Sequence, residues 1–237
     1  MRSRHVDLQR PRTVAEILSA TVTLYARYAL LFVLLALAVV APYELLVLAA
    51  VGSSPLGGRN GHASTALILL LLDFALIQPL IAALYAHAVV MIGGGEQPSV
   101  AAVASRVARV LPVVAAAQIV AGLGIGIGFI AFVIPGIWLL IRWAVVAQVA
   151  AIEHPDWMGA LRRGAQLTRG HYLHIFGLII VMAIVNVVLG EGGLAVAGQS
   201  TKAIDVAFGI AVETLIRSFT ALTTAMLYFD LLARTAD

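Results

Sequence analysis

The stretch Val133 to Gly170, VIPGIWLLIRWAVVAQVAAIEHPDWMGALRRGAQLTRG, decides the fold. Pro135 and Gly136 read as a tight turn that opens an apolar run; Arg142 lies inside the run and Glu153 ends it. Pro155 and Asp156 restart the chain as a short arginine-bearing amphipathic segment, which leads through Gly170 into the next apolar run. The pattern predicts a spanning helix over Ile137 to Ile152, then an interfacial helix over Asp156 to Arg169.

Composition extends this reading to the whole chain. The 237 residues are 62% hydrophobic and 11% charged, with a mean hydropathy of +1.01, whereas roughly a quarter of a soluble domain is charged. A single polytopic membrane domain over 1–237 follows. The net charge of +3 would elsewhere suggest nucleic acid. Here the basic residues flank apolar runs, as at a membrane surface, and nucleic acid is set aside. No cysteine is present, which excludes disulfides, thiol chemistry and zinc–thiolate sites. The basic, polar opening MRSRHVDLQRPRTVAE lacks a following short apolar region with a cleavage site, so no cleaved signal is expected.

In chain order, Thr13 caps an amphipathic segment to Arg27, and the first span covers Tyr28 to Ala50 with Pro42 and Glu44 inside it. A turn-rich loop, Val51 to Ala63, leads to a second span over Ser64 to Gly93 carrying Asp73, Pro79 and His87. The Gly93 to Gly95 break precedes a second amphipathic segment from Ser99 to Arg109, and the third span covers Leu111 to Ile134. That span contains GLGIGIG; without a strand before it the run is no phosphate loop, and its four-residue glycine spacing suits close helix packing. A fifth span covers His171 to Leu189, a glycine-rich loop Gly190 to Ser200, and a sixth span Ile204 to Leu232. The expected architecture is all-α, with six transmembrane helices and three short interfacial amphipathic helices.

Eleven of the fifteen Lys and Arg residues fall on the side that holds both termini, with Arg59 and Lys202 opposite and Arg142 and Arg217 inside spans. The positive-inside rule puts both termini in the cytoplasm. Fourteen arginines against one lysine suggest a GC-rich bacterium, and hence its plasma membrane. A proline followed by a cap (Thr13, Ser99, Asp156) opens each of three units, 11–93, 98–153 and 155–234, the pattern of a three-fold parallel repeat.

IPGIWLLIRWAVVAQVAAIE, ALRRGAQLTRGHYLHIFGLI and LYFDLLAR resemble the bacterial family known as the glycerophosphoryl diester phosphodiesterase membrane domain. Pro135, Gly136, Arg142, Glu153, Ala160, Leu161, Leu167, Thr168, Gly170, Tyr228 and Asp230 fall on positions of that family's pattern. Gly164 stands where the pattern usually has serine, and Leu232 where it has arginine. The resemblance covers the second half of the chain well and the first in outline. It implies the membrane module alone, because the apolar spans leave no room for the separate catalytic domain that gives the family its name.

Charges inside spans are the first candidate site: Glu44, Asp73, Arg142, Glu213 and Arg217. Glu44 and Arg142 share a depth that allows pairing, and Glu213 precedes Arg217 by four residues, the favourable order on one helix face. An unpaired charge at mid-bilayer costs at least about 2.5 kcal/mol, so these groups face the bundle interior. Either they are structural ion pairs or they line an ion or proton route. The first reading leads, because the spans offer little other polar lining than Gln78, Gln118, Gln148 and Asn186.

Arg162, Arg163 and Arg169 form the second candidate, a basic helix face suited to anionic phospholipid headgroups. The competing reading is that they only fix topology. His154, His171 and His174 are too poorly supplied with further ligands for a metal and read as interfacial histidines. No cofactor is implied, and no nucleophile stands at a recognisable spacing from a base, so no enzyme is expected. The functional expectation is a lipid-associated structural or accessory module, with a small-solute or proton-coupled transporter as the alternative.

Overall fold

The computed structural model describes residues 10–51, 63–153, 156–196 and 202–236, in which every regular element is helical. The loop expected between Val51 and Ala63, the arginines Arg2, Arg4 and Arg59, and His154 and Pro155 lie outside the described residues. The described residues hold ten α-helices, in the order α1 (Val14–Arg27), α2 (Ala29–Val51), α3 (Ala63–Leu72), α4 (Gln78–Gly93), α5 (Val100–Ala131), α6 (Val133–Arg142), α7 (Val146–Ile152), α8 (Trp157–Leu167), α9 (Tyr172–Val196) and α10 (Lys202–Ala236). A π-helical turn, Asp73–Ile77, joins α3 to α4. Among the described residues, six stretches are long and apolar enough to cross a membrane: Ala29–Ala50, Leu67–Gly93, Val100–Ala131, Val133–Ile152, Tyr172–Gly192 and Ile204–Thr235. The chain is an all-α polytopic membrane protein. Its outward side chains agree: Leu30, Ile130 and Leu173 are at least 75% exposed, as suits a lipid solvent.

The three expected caps form. Thr13 Oγ1 accepts from the Glu16 amide at 3.3 Å, Ser99 Oγ from Ala102 at 3.2 Å and Asp156 Oδ1 from Gly159 at 3.1 Å. Glu16 closes a capping box by accepting from the Thr13 amide at 2.8 Å. That bond, then the Thr13 hydroxyl and Arg10, holds the Glu16 carboxyl below the usual range. Helix α1 turns Ile17, Thr21 and Leu24 inward, an i, i+4, i+7 stripe, and packs chiefly on α10.

Helix α10 also touches α2, α4 and α9, while α4 bridges it to the group α5, α6 and α7. Small side chains allow the approach: Ala83, Ala86 and Ala88 on α4, Ala117 on α5, and Ala150 and Ala151 on α7 are all completely buried. Aromatic rings tie α1, α2 and α4 together. Phe32 stacks on Tyr25 at 6.0 Å and on Tyr85 at 5.1 Å, and the Tyr85 hydroxyl meets Ser218 Oγ of α10 at 2.7 Å.

Four details differ from the sequence expectation. The reversal before the fourth span is at Phe132, whose extended backbone separates α5 from α6; Pro135 and Gly136 lie in the first turn of α6. Proline tolerates that position because its missing N–H would have no helical partner there. Secondly, the amphipathic segment after Ser99 is no separate interfacial helix but the first third of α5, which runs 32 residues through Pro112. Thirdly, the fourth span is broken at Trp143–Val145, between α6 and α7. Finally, Gly190 to Val196 continue α9, since each glycine costs a helix only about 1 kcal/mol, and the rest of the expected loop to Ser200 lies outside the described residues.

The glycine run of α5 does serve packing, by receiving side chains. A Cβ on Gly122 would run into the Phe74 ring, one on Gly124 would stand 2.5 Å from Trp143, and one on Gly128 3.0 Å from the Gly136 backbone. Gly126 faces open space.

Candidate functional site

The site begins at the π turn. Pro79 cannot donate to the helix and its ring crowds the carbonyl four residues earlier. The widened turn absorbs this, with the Gln78 amide donating to the Asp73 carbonyl five residues back. On a regular α-helix Asp73 and Gln78 would point about 140° apart. Here their side chains meet, Gln78 Nε2 donating to Asp73 Oδ2 at 3.3 Å. Such turns recur at functional sites.

Asp73 faces α10. Arg217 donates through Nη1 to Asp73 Oδ1 at 2.6 Å and through Nε to Glu213 Oε1 at 2.7 Å. Its guanidinium lies 5.8 Å from the centroid of the Tyr43 ring, whose hydroxyl donates to the Leu69 carbonyl at 3.0 Å. Three of the five predicted intramembrane charges therefore form one triad of two acids and one base. Arg142 is not among them: its guanidinium lies 4.8 Å from the Trp138 ring centroid. Glu44 is buried on α2, outside the cavity lining described next.

Beside the triad lies a cavity of ≈ 350 Å³. Gln78 of α4, Gln118 of α5, Gln148 of α7 and Asn186 of α9 all reach it, as do Glu213, Arg217, Thr220 and Thr224 of α10. The four amides that look too sparse along the sequence thus converge on one place. Alanines 82, 144, 147 and 221 keep the space open, and Ala144 belongs to the break between α6 and α7.

No protein-family model, curated protein or solved structure matches the chain.

Hydrogen bonds fix how the cavity's amides point. Thr224 spends its hydroxyl proton on the Thr220 and Ala221 carbonyls, both at 3.0 Å, so its oxygen can only accept. Gln148 Nε2 supplies that donor at 3.0 Å. The Gln148 carbonyl oxygen is left buried with no hydrogen-bond partner among the described residues, on a side chain 2% exposed. Asn186 is anchored to the Met182 carbonyl at 2.7 Å and approaches Thr220 at 3.4 Å.

The predicted headgroup residues separate. Arg162 and Arg169 are exposed, whereas Arg163 donates to Glu153 at 3.0 Å. Glu153 also accepts from the Tyr228 hydroxyl at 3.0 Å. The opposite face of α8, including Ala160, Leu161, Gly164, Ala165 and Leu167, is buried against α7 and α5. Thr168 donates to the Arg142 carbonyl at 3.1 Å, which the break at Trp143 has deprived of its helical partner, and Gly170, at φ +85, turns the chain into α9. His171 accompanies that turn, and His174 Nε2 lies 3.2 Å from Asp230 Oδ2, so these two histidines go to different places.

Sequence reading missed Thr220, Thr224 and the cluster around Asp230. The signal for the threonines was present: with Glu213 and Arg217 they fall at i, i+4, i+7 and i+11, one face of α10.

Proposed function

We propose that this protein is a non-enzymatic membrane protein that binds a small polar solute within the bilayer and passes it across. The observation that carries this is the convergence of in-span amides from four helices, with two threonines and the Glu213–Arg217 pair, on one cavity. Polar groups are costly at that depth, and a bundle that needed only packing would not gather them around open space. The volume lies in the range of small-molecule sites. The broken fourth span supports the same reading, since irregular backbone inside a membrane is tolerated where it lines a cavity.

Osmotic shock of reconstituted vesicles tests it. After a shock with guanidinium chloride, urea or sodium acetate, vesicles holding the wild-type chain should re-swell with at least one solute about tenfold faster than vesicles holding Ala147→Phe, which fills the cavity. Equal rates with all three solutes would sink the transport reading.

The exposed Arg162 of α8 and Arg169 just after it favour a second role, contact with anionic phospholipid headgroups. Native mass spectrometry of protein released from its own membrane is the check. A double Arg162→Ala, Arg169→Ala variant, with the Arg163–Glu153 pair intact, should lose a defined anionic lipid that the wild type keeps. Identical lipid complements would reduce these arginines to topology.

A bacterial plasma-membrane location, cytoplasmic termini, the three-fold repeat and kinship with the membrane module of the glycerophosphoryl diester phosphodiesterase family belong to the same proposal. Kinship is supported by the work that motif residues do here: Thr168 on the Arg142 carbonyl, Tyr228 on Glu153, and Asp230 beside Arg234.

A further inference from the structure

We infer that the cavity takes a small organic cation bearing N–H donors, an inference that rests on the polar-solute reading above. Three observations lead there, and each concerns what the cavity leaves unsatisfied.

The first is the Gln148 carbonyl. Gln148 belongs to the cavity wall and Thr224 dictates the orientation of its amide, so the atom left without a partner among the described residues is an acceptor, on a side chain 2% exposed. An acceptor held in an apolar bundle at the cost of its hydration calls for a donor. The second is Glu213. Its Oε1 receives Arg217, and the residue lines the same cavity. The third is charge. Asp73 and Glu213 share one arginine, so two acids face a single base. A cation entering beside Glu213 completes that balance, whereas an anion would face the surplus.

Size separates an organic cation from a bare metal ion. A space of ≈ 350 Å³ has room for several non-hydrogen atoms, whereas a bare ion such as Mg²⁺ needs about six oxygens drawn close around it. Guanidinium is the suitable probe: it is planar, permanently charged, cannot cross lipid as a neutral base, and presents N–H groups around its rim. Urea has nearly its shape without its charge. Tetramethylammonium has the charge without N–H.

The experiment is equilibrium binding of radiolabelled guanidinium to the full chain in nanodiscs, with unlabelled urea, tetramethylammonium, sodium and acetate as competitors. Saturable binding is expected. Glu213→Gln should raise the Kd by about 10- to 100-fold and Gln148→Leu by about tenfold, the loss of a charge-assisted and of an ordinary hydrogen bond. Tryptophan-monitored melting should show both variants folded, since the Thr224 hydroxyl keeps its backbone bonds without Gln148. Each competitor should be at least about tenfold weaker than guanidinium itself.

Absence of saturable guanidinium binding would overturn the inference, as would equal competition by urea, tetramethylammonium, sodium or acetate. The two readings fail separately. If urea or acetate re-swells wild-type vesicles faster than Ala147→Phe vesicles while guanidinium does not bind, the solute site stands and its cation preference falls. If no solute distinguishes those vesicles and guanidinium does not bind, both fall.

Discussion

Arg217→Met is expected to cost about 3–5 kcal/mol of stability, because it strands two carboxylates beside each other inside the bundle. The Asp73, Arg217 and Glu213 side chains are 10%, 16% and 25% exposed, so water screens the loss only weakly. Each acid gives up a charge-assisted bond, at 2.6 Å and 2.7 Å, and each then faces the other's charge without a cation between them. Arg217→Lys should be milder. Its single ammonium supplies the charge, yet it lacks the planar fork that reaches Asp73 and Glu213 at once. Both effects can be read from unfolding in mixed detergent micelles followed by Trp138, Trp143 and Trp157.

A triple replacement separates ion pairing from packing. Combining Arg217→Met with Asp73→Asn and Glu213→Gln removes every charge while keeping the side-chain volumes. Buried ion pairs replaced together in this way commonly cost little, so the triple variant should recover most of what Arg217→Met loses. If Arg217→Met alone melted with the wild type, the triad would contribute nothing to the fold. If the triple variant stayed as unstable as the single one, the arginine's packing over Tyr43 would carry the stability.

The triad also marks where sequence reading stops. The six spans, the caps at Thr13, Ser99 and Asp156, and the Glu213–Arg217 pair are legible because each rests on local spacing: run length, a side chain three residues from an amide, one turn of helix. That Asp73 joins the pair is not local. It depends on a π turn that Pro79 favours but does not compel, and on α4 packing against α10. The cavity is less legible still. Gln78, Gln118, Gln148 and Asn186 come from four different helices, and nothing in a single sequence shows that four helix rotations bring them together. The division of the fourth span is hidden for a related reason. Trp143 to Val145 are apolar and continue the run, and the lost helical bond is made good by Thr168, a residue 26 positions further on.

Asp230→Ala is expected to cost a comparable amount, about 3–5 kcal/mol, at the end of the bundle where α1 and α10 meet. Asp230 is completely buried. Its Oδ1 accepts from the Arg12 backbone N–H, while Oδ2 accepts from Arg234 Nε at 2.8 Å and lies 3.2 Å from His174 Nε2. Arg234 in turn donates to the Arg12 carbonyl, so the backbone at Arg12 is gripped on both sides just before the Thr13 cap. Removing the carboxylate leaves a buried amide and a guanidinium without their acceptor. Asp230→Asn should recover little, because either orientation of the amide turns a donor toward a donor, the Arg12 N–H in one case and Arg234 Nε in the other. The loss should also be local first. Hydrogen exchange is expected to accelerate along α1, at Ile17 and Leu24, while α4 and α7 around the cavity remain protected, because α1 has its grip at Arg12 and a single buried stripe to hold it. Uniform acceleration through α4 and α7 as well would mean that α1 and the cavity helices unfold as one unit, and that Asp230 secures the whole bundle rather than its first helix.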